Sequence, residues 1–237
     1  KKLVIPAWLG RFVAGAALAT LILVPLASLR LRGQDSWVAF VHNSEKHLNT
    51  PVLNNMGLKS VIAYDPNLRS AITFDSSLPD TWGKWKQTQR DTFARRKPLF
   101  WLLVAAALVL FGAALATEAP WVALALGGGL ILIVAQITCY YLVVLLLLAL
   151  LDERLPWASA ALALAAAVSD LIPLRWLRED DSYVLTSEWW LAIVVLIAGG
   201  LLLESRRRAL LPEPEPPKKP AKAAKVSRAR PKKGRRR

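Results

Sequence analysis

Between Trp121 and Leu151 the chain runs for 31 residues without one charged side chain, and no other feature narrows its possible folds so far. A soluble domain rarely finds room for such a run, whereas the hydrocarbon core of a bilayer needs about 20 mainly apolar residues per crossing. As a single straight α-helix the run would extend ~46 Å. That is too long for one perpendicular crossing, and the run is too short for two crossings with a turn between them. The reading is one tilted or protruding helix, with Gly127-Gly128-Gly129 as its expected irregular point.

Four further apolar runs accompany it. Phe12–Leu29 and Pro98–Ala116 carry no charge, Pro156–Leu174 carries only Asp170, and Trp189–Leu203 is a shorter run bounded by Glu188 and Glu204. Indole rings favour the headgroup boundary because they are apolar with one N–H donor. Seven of the ten Trp lie near the ends of these runs, which supports the membrane reading. The expected fold is all-α: a polytopic membrane helical bundle of about five transmembrane helices, with one long polar loop and a disordered basic C-terminal tail. Its expected regions are a first transmembrane region (1–29), an extramembrane loop with amphipathic helices (30–97), a four-helix transmembrane region (98–204) and the tail (205–237).

The net charge of +14 is not spread over this body. Residues 205–237 hold 14 Lys and Arg against two acids, so +12 sits on the tail and +2 on everything before it. The tail alternates Pro, Ala, Lys and Arg, has too little apolar surface to offset the entropy of ordering, and reads as disordered. One Cys and two His exclude a disulfide scaffold and a Cys-rich zinc site. No cofactor or metal is expected.

Basic residues gather on the cytoplasmic face of membrane proteins. The tail is basic, and so is the 30–97 loop. Four crossings separate the two on this reading, which puts both inside, with 117–120 and 175–188 outside and 152–154 inside. The chain opens Lys1-Lys2-Leu3 without Met, as expected of a processed or partial product.

Within the loop, Trp37, Val41, Ser44 and Leu48, with Phe40 beside them, form a one-sided helical stripe that should end at Asn49-Thr50-Pro51. Leu58–Tyr64 reads as a short strand or a buried segment, and Asp65-Pro66-Asn67 as a turn. Gly57 suggests a tight turn or a close backbone approach. A second helix should open near Pro79-Asp80-Thr81 and run to about Arg96. Its aromatics and its six cations, Lys84, Lys86, Arg90, Arg95, Arg96 and Lys97, suit the membrane surface and anionic headgroups. Nucleic acid is disfavoured as its partner.

The candidates for ligand or substrate contact are His42, His47, Asn54, Asn55, Gln136, Tyr140 and Asp170. His42 and His47 are spaced i, i+5, which points them about 140° apart on a helix, so they read as surface His rather than a metal pair. The Asn54 and Asn55 amides have the chemistry to bind a sugar or phosphate ester. Gln136 and Tyr140 share a helix face at i, i+4 and should form a polar knot between helices. Asp170 lies close enough to its run's end to reach boundary water, with Arg175 and Arg178 as partners. Glu179-Asp180-Asp181 reads as a solvated charge run.

No nucleotide loop, nucleophile elbow or paired carboxylates emerge. The leading expectation is a non-enzymatic multi-pass membrane protein whose tail contacts anionic lipid, an acidic partner or another membrane protein. An alternative is the C-terminal part of a polytopic glycosyltransferase using a lipid-linked sugar, with His42–Lys59 at the mouth of its groove. That alternative requires an extracytoplasmic loop. A transporter fragment is the third.

Overall fold

The computed structural model describes residues 7–30, 34–175 and 179–210. The tail beyond Leu210 and the proposed Asp170 partner Arg178 lie outside these residues. The described chain is mostly helical. Helix α1 (Ala7–Arg30) is followed by α2 (Gln34–Asn49), a two-residue strand β1 (Asn55–Met56), and the short helices α3 (Leu58–Ala63) and α4 (Ser70–Thr73). A 33-residue helix, α5 (Gly83–Leu115), leads into α6 (Pro120–Val134), strand β2 (Ile137–Thr138) and a 3₁₀ helix (Cys139–Glu153). Helices α7 (Ala158–Arg175) and α8 (Glu179–Leu210) complete the body.

Three of these helices, α5, α7 and α8, are long and apolar enough to cross a membrane; the apolar stretches Val13–Leu29 and Pro120–Val134 are shorter. Phe111, Leu126, Leu132, Leu148, Val194 and Ile197 meet at the centre of the bundle. Its outer surface is apolar as well, with Leu102, Val109, Leu124, Leu146, Leu171 and Leu203 all exposed. Core and outer face of one body are both hydrophobic, as a lipid-surrounded bundle requires. The thin, Ala-rich α7 keeps Leu164 and Leu174 exposed and sits at the periphery, while α8 touches α3, α5, α6, α7 and β1.

The 121–151 run is not one helix. It breaks at Ala135–Thr138, where Met56 pairs with Ile137 and Asn55 with Thr138 in antiparallel register. On either side, α6 and the 3₁₀ helix fold back as a hairpin. Two short strands supply backbone partners at the turn, so the polar peptide groups of the break are not left unpaired. Gly127–Gly129 stay helical, and the break falls elsewhere. Gly128 and Gly129 permit close packing: a Cβ on Gly129 would stand 2.7 Å from Val194 Cγ1, and one on Gly128 3.0 Å from the Val144 carbonyl oxygen.

This hairpin changes the parity of the bundle. Five segments, not four, separate the loop from the C-terminal end of α8. The contacts agree. At one end, Ser70 and Trp85 bond Asp180, and Gln136 bonds Ser60. At the other, Thr117 bonds Ser205 at 2.8 Å and Glu118 lies between Arg154 and Arg208. The 117–120 turn therefore shares its end with Arg154 and the Arg206–Arg208 run, and the loop occupies the opposite end, contrary to the four-crossing expectation.

The expected amphipathic helix before Arg96 is the N-terminal half of α5, continuous with the apolar run through Pro98. Trp85, Gln89 and Thr92 on that half are buried, where α3 and α8 pack against it.

Candidate functional site

The loop end forms a polar crown. Gly57 is its pivot. Its φ of 110° lies in the region that side chains disfavour, and a Cβ would stand 2.6 Å from the Leu132 carbonyl oxygen and 2.9 Å from that of Ala135. The Gly57 N–H donates to Ser187 Oγ at 3.1 Å. Only a residue without a side chain lets the loop press this closely on the end of α6. The close approach expected of Gly57 is thus present. Leu58–Tyr64, expected as a strand or buried segment, is the buried helix α3 and its cap. Asn67 N–H donates to Asp65 Oδ1 at 2.9 Å, closing the turn expected there.

Beneath the loop, the start of α8 supplies two carboxylates. Asp180, 2% exposed, accepts from the Ser70 N–H at 2.7 Å, the Ser70 hydroxyl at 2.5 Å and Trp85 Nε1 at 3.1 Å. Asp181 accepts from the Tyr64 hydroxyl at 2.5 Å and pairs with Arg69 at 3.4 Å. Burial, and then the Asp181 carboxylate beside it, push the Tyr64 hydroxyl well above the usual phenol range. Burial lowers Lys59, whose ammonium stands 5.2 Å from the centre of the Phe93 ring. Asp180 and Asp181 of the acidic run are therefore an anchor engaged by the loop rather than a solvated face, and the Glu179 side chain lies outside the described residues. A close carboxylate pair at a helix N-terminus, with its favourable dipole, was the signal available for it.

Two cavities open in the crown. The outer one, about 560 Å³, is lined by Lys46, His47 and Thr50 from the end of α2, Val52 and Asn55 from the loop, and Gln136–Thr138 and Tyr141 from the break. An inner chamber of about 20 Å³ lies behind it, lined by Asn55, Ser60, Trp85, Gln89, Gln136 and Asp180 among others. Val52, Asn55 and Gln136 border both.

Of the residues expected to contact a ligand, His47, Asn55 and Gln136 come together here. Asn54 stands beside them, its amide 3.9 Å from Cys139 Sγ. His42 is exposed on α2, away from the cavity lining. Tyr140 is 76% exposed and does not share a face with Gln136, because the intervening chain is strand and 3₁₀ helix; Tyr141 takes the cavity position. Asp170 is exposed on α7 without an ion pair to Arg175 among the described residues. Thr138 joins the lining where β2 pairs with β1, and Lys46 and Thr50 join it at the end of α2, contacts that no local sequence signal announces.

The six cations of α5 divide. Lys84 and Lys86 pair with Asp75 at 2.6 Å and Asp80 at 2.8 Å, and the Lys84 bond, followed by those from Ser77, brings the Asp75 carboxyl down to about 2. Arg96 donates to the Ile62 and Tyr64 carbonyls, Arg95 to Thr92 and Arg90 to Gln87. Lys97 is exposed.

No family model, curated protein or solved structure matches the chain. What the crown does has to be read from its own chemistry. Among the described residues no group of three His, Cys, Asp or Glu converges as a metal site. The threonines of the outer cavity are Thr50, whose hydroxyl donates to the Lys46 carbonyl at 2.6 Å, and Thr138, and its basic side chains, Lys46 and His47, are exposed. The outer cavity offers amides, hydroxyls, a rim of positive or titratable groups and an apolar strip. That set suits recognition of a polar headgroup carrying an apolar extension.

Proposed function

We propose that this chain is a multi-pass integral membrane protein that binds the head of an amphiphile in the outer crown cavity and performs no chemistry on it by itself. The observation that carries the reading is the cavity of about 560 Å³ at the break in the longest apolar run, with Asn55, Gln136 and Thr138 on one side and Ile137 and Val52 on another. A headgroup-sized polar recess at the end of an apolar-faced bundle lies where a lipid head and its chain part company. The basic C-terminal segment holds its end in the cytoplasm, and the odd number of segments then makes the crown extracytoplasmic.

The test joins topology and retention. In the full chain lacking Cys139, Ser76→Cys at the crown should react with a membrane-impermeant maleimide added to intact cells, and Ala209→Cys only after lysis. Native mass spectrometry of the purified protein should find a retained lipid that Thr138→Trp, which fills the cavity, reduces at least fivefold. Reaction of both thiols from one side, or a lipid-free wild type, sinks the reading. The tail supplies a second, weaker membrane contact, at about 1 kcal/mol per Lys or Arg near an anionic surface. Truncation should start after Leu210, since Arg208 belongs to the folded body. It should leave insertion intact and weaken binding to anionic liposomes.

The opposed ends also favour a second reading, the C-terminal part of a membrane glycosyltransferase using a lipid-linked sugar, because that enzyme needs the loop outside. A catalytic carboxylate would then come from another segment or chain. Transfer activity appearing only when such a partner is co-expressed is its distinguishing result.

A further inference from the structure

The inner chamber has the makings of an ion site. Asp180 is buried, and its three hydrogen-bond partners, Ser70 N–H, Ser70 hydroxyl and Trp85 Nε1, are all neutral. The neighbouring Asp181 already engages Arg69. Among the described residues Asp180 has no ion-pair partner, and the N-terminus of α8 contributes roughly half a positive charge beside it. A buried carboxylate held only by neutral donors is costly to keep ionised.

The chamber beside Asp180 supplies what would balance it. The amides of Asn55 and Gln89 are 9% and 8% exposed and line the space, and no protein hydrogen bond engages either side-chain amide among the described residues. Gln136 gives its amide N–H to Ser60 Oγ at 3.4 Å, which leaves its carbonyl oxygen uncommitted. Asp180, the amide residues Asn55, Gln89 and Gln136 and the hydroxyl residue Ser60 therefore line, with apolar neighbours, a space of about 20 Å³, enough for one water-sized occupant. Hard monovalent cations take oxygen ligands of this kind, and a set without His or Cys does not suit a transition metal.

We infer that the inner chamber binds a single sodium ion, held by Asp180 with Asn55, Ser60, Gln89 and Gln136. The small space disfavours potassium. Because Asn55 and Gln136 also wall the outer cavity, the ion fixes the two amides that a headgroup would meet. The inference stands whether or not the outer cavity binds a lipid.

The experiment uses the purified full chain in detergent. Equilibrium binding of radioactive sodium should saturate at one ion per chain, with potassium competing at least fivefold more weakly and choline not at all. Sodium should raise Tm with the same concentration dependence. Gln89→Leu, which removes a ligand without touching the Asp180 hydrogen bonds, should weaken sodium at least tenfold, and Asp180→Asn should abolish binding. If Asp180→Asn does not fold, the wild type and Gln89→Leu still decide the matter. No saturable sodium binding to the wild type, as for a chamber holding only water, overturns the inference. So does a Gln89→Leu protein with unchanged affinity.

Discussion

Each end of the bundle buries a carboxylate, and the two ends hold it in opposite ways. At the crown, Asp180 is surrounded by neutral N–H and O–H donors. At the base, the Glu118 side chain, 6% exposed, lies 3.6 Å from Arg154 Nε and 3.9 Å from an Arg208 nitrogen. Arg154 also stacks over Trp121 at 5.8 Å, and Arg208 bonds Glu204 and the Arg154 carbonyl. At the base the buried charge is matched by protein guanidinia, and the cluster fastens the α5–α6 turn to the end of α8. At the crown Asp180 has hydrogen bonds but no ion-pair partner among the described residues, and amide side chains line the space beside it. Fastening and binding thus ask different things of a buried acid, and the surrounding donors tell them apart.

The comparison breaks most visibly at Gly57. Gly57→Ala places a methyl group against two carbonyl oxygens in a disfavoured backbone region. A loss of about 2–5 kcal/mol is expected from strain and overpacking together. Denaturant unfolding in micelles should show it, and amide exchange should place the loosening at 55–64 and 135–138 while 116–119 stays protected. Equal loosening of both ends would mean that crown and base are one cooperative unit.

Glu118→Gln is the matching change at the base. It leaves two guanidinia facing each other across a neutral amide. Both are a third exposed, so solvent screening limits the expected cost to about 1–2 kcal/mol. Because the residual repulsion is screened by ions, the deficit should shrink between low and high salt. A deficit indifferent to salt would assign Glu118 a packing role instead.

The smallest effect belongs to the crown's rim. Asp75 is held down to about 2 by Lys84 and Ser77. A carboxyl whose folded pKa is depressed stabilises the fold above its unfolded value near 4, and that contribution disappears as pH falls through about 2. Asp75→Asn should therefore speed amide exchange of the 75–84 loop slightly at neutral pH. Below pH 2 the variant and the wild type should converge. Divergence that grows toward low pH reverses the sign and removes the Lys84 pairing as the cause.

Much of the helical content was legible because apolar runs and their charged borders are local features. Trp189–Leu203 falls inside α8, Pro98–Ala116 and Pro156–Leu174 match α5 and α7 to within two residues at one end, and Asn49-Thr50-Pro51 marks the end of α2. The break at Ala135–Thr138 was not legible. Nothing in Ala135-Gln136-Ile137-Thr138 forbids a helix, and the turn exists because Asn55 and Met56, some 80 residues earlier, supply a backbone edge. Tyr140 was misplaced for the same reason, since i, i+4 reasoning needs an unbroken α-helix. Asp180 was misread because burial of a carboxylate depends on distant Ser70 and Trp85, and composition records no distances. The Gln136 amide was singled out as a polar group in costly surroundings, and Asn55 as a loop amide with sugar- or phosphate-binding chemistry; both criteria survive an error in the path of the chain.

The 3₁₀ helix has a consequence of its own. Such helices are seldom longer than a few residues, and this one has 15. With three residues per turn, Leu145, Leu148 and Leu151 stack as one straight buried ridge. At ~2.0 Å per residue the segment reaches ~30 Å, where an α-helix of equal length reaches ~22 Å. The tighter winding therefore carries 15 residues as far as about 20 residues of α-helix would reach. Relaxing to α-helical pitch would shorten the segment by ~7 Å and twist the leucine ridge off its line. The stretch between Thr138 at the crown and Arg154 at the base thus covers with 15 residues a span between the two ends that the far longer α5 and α8 also bridge.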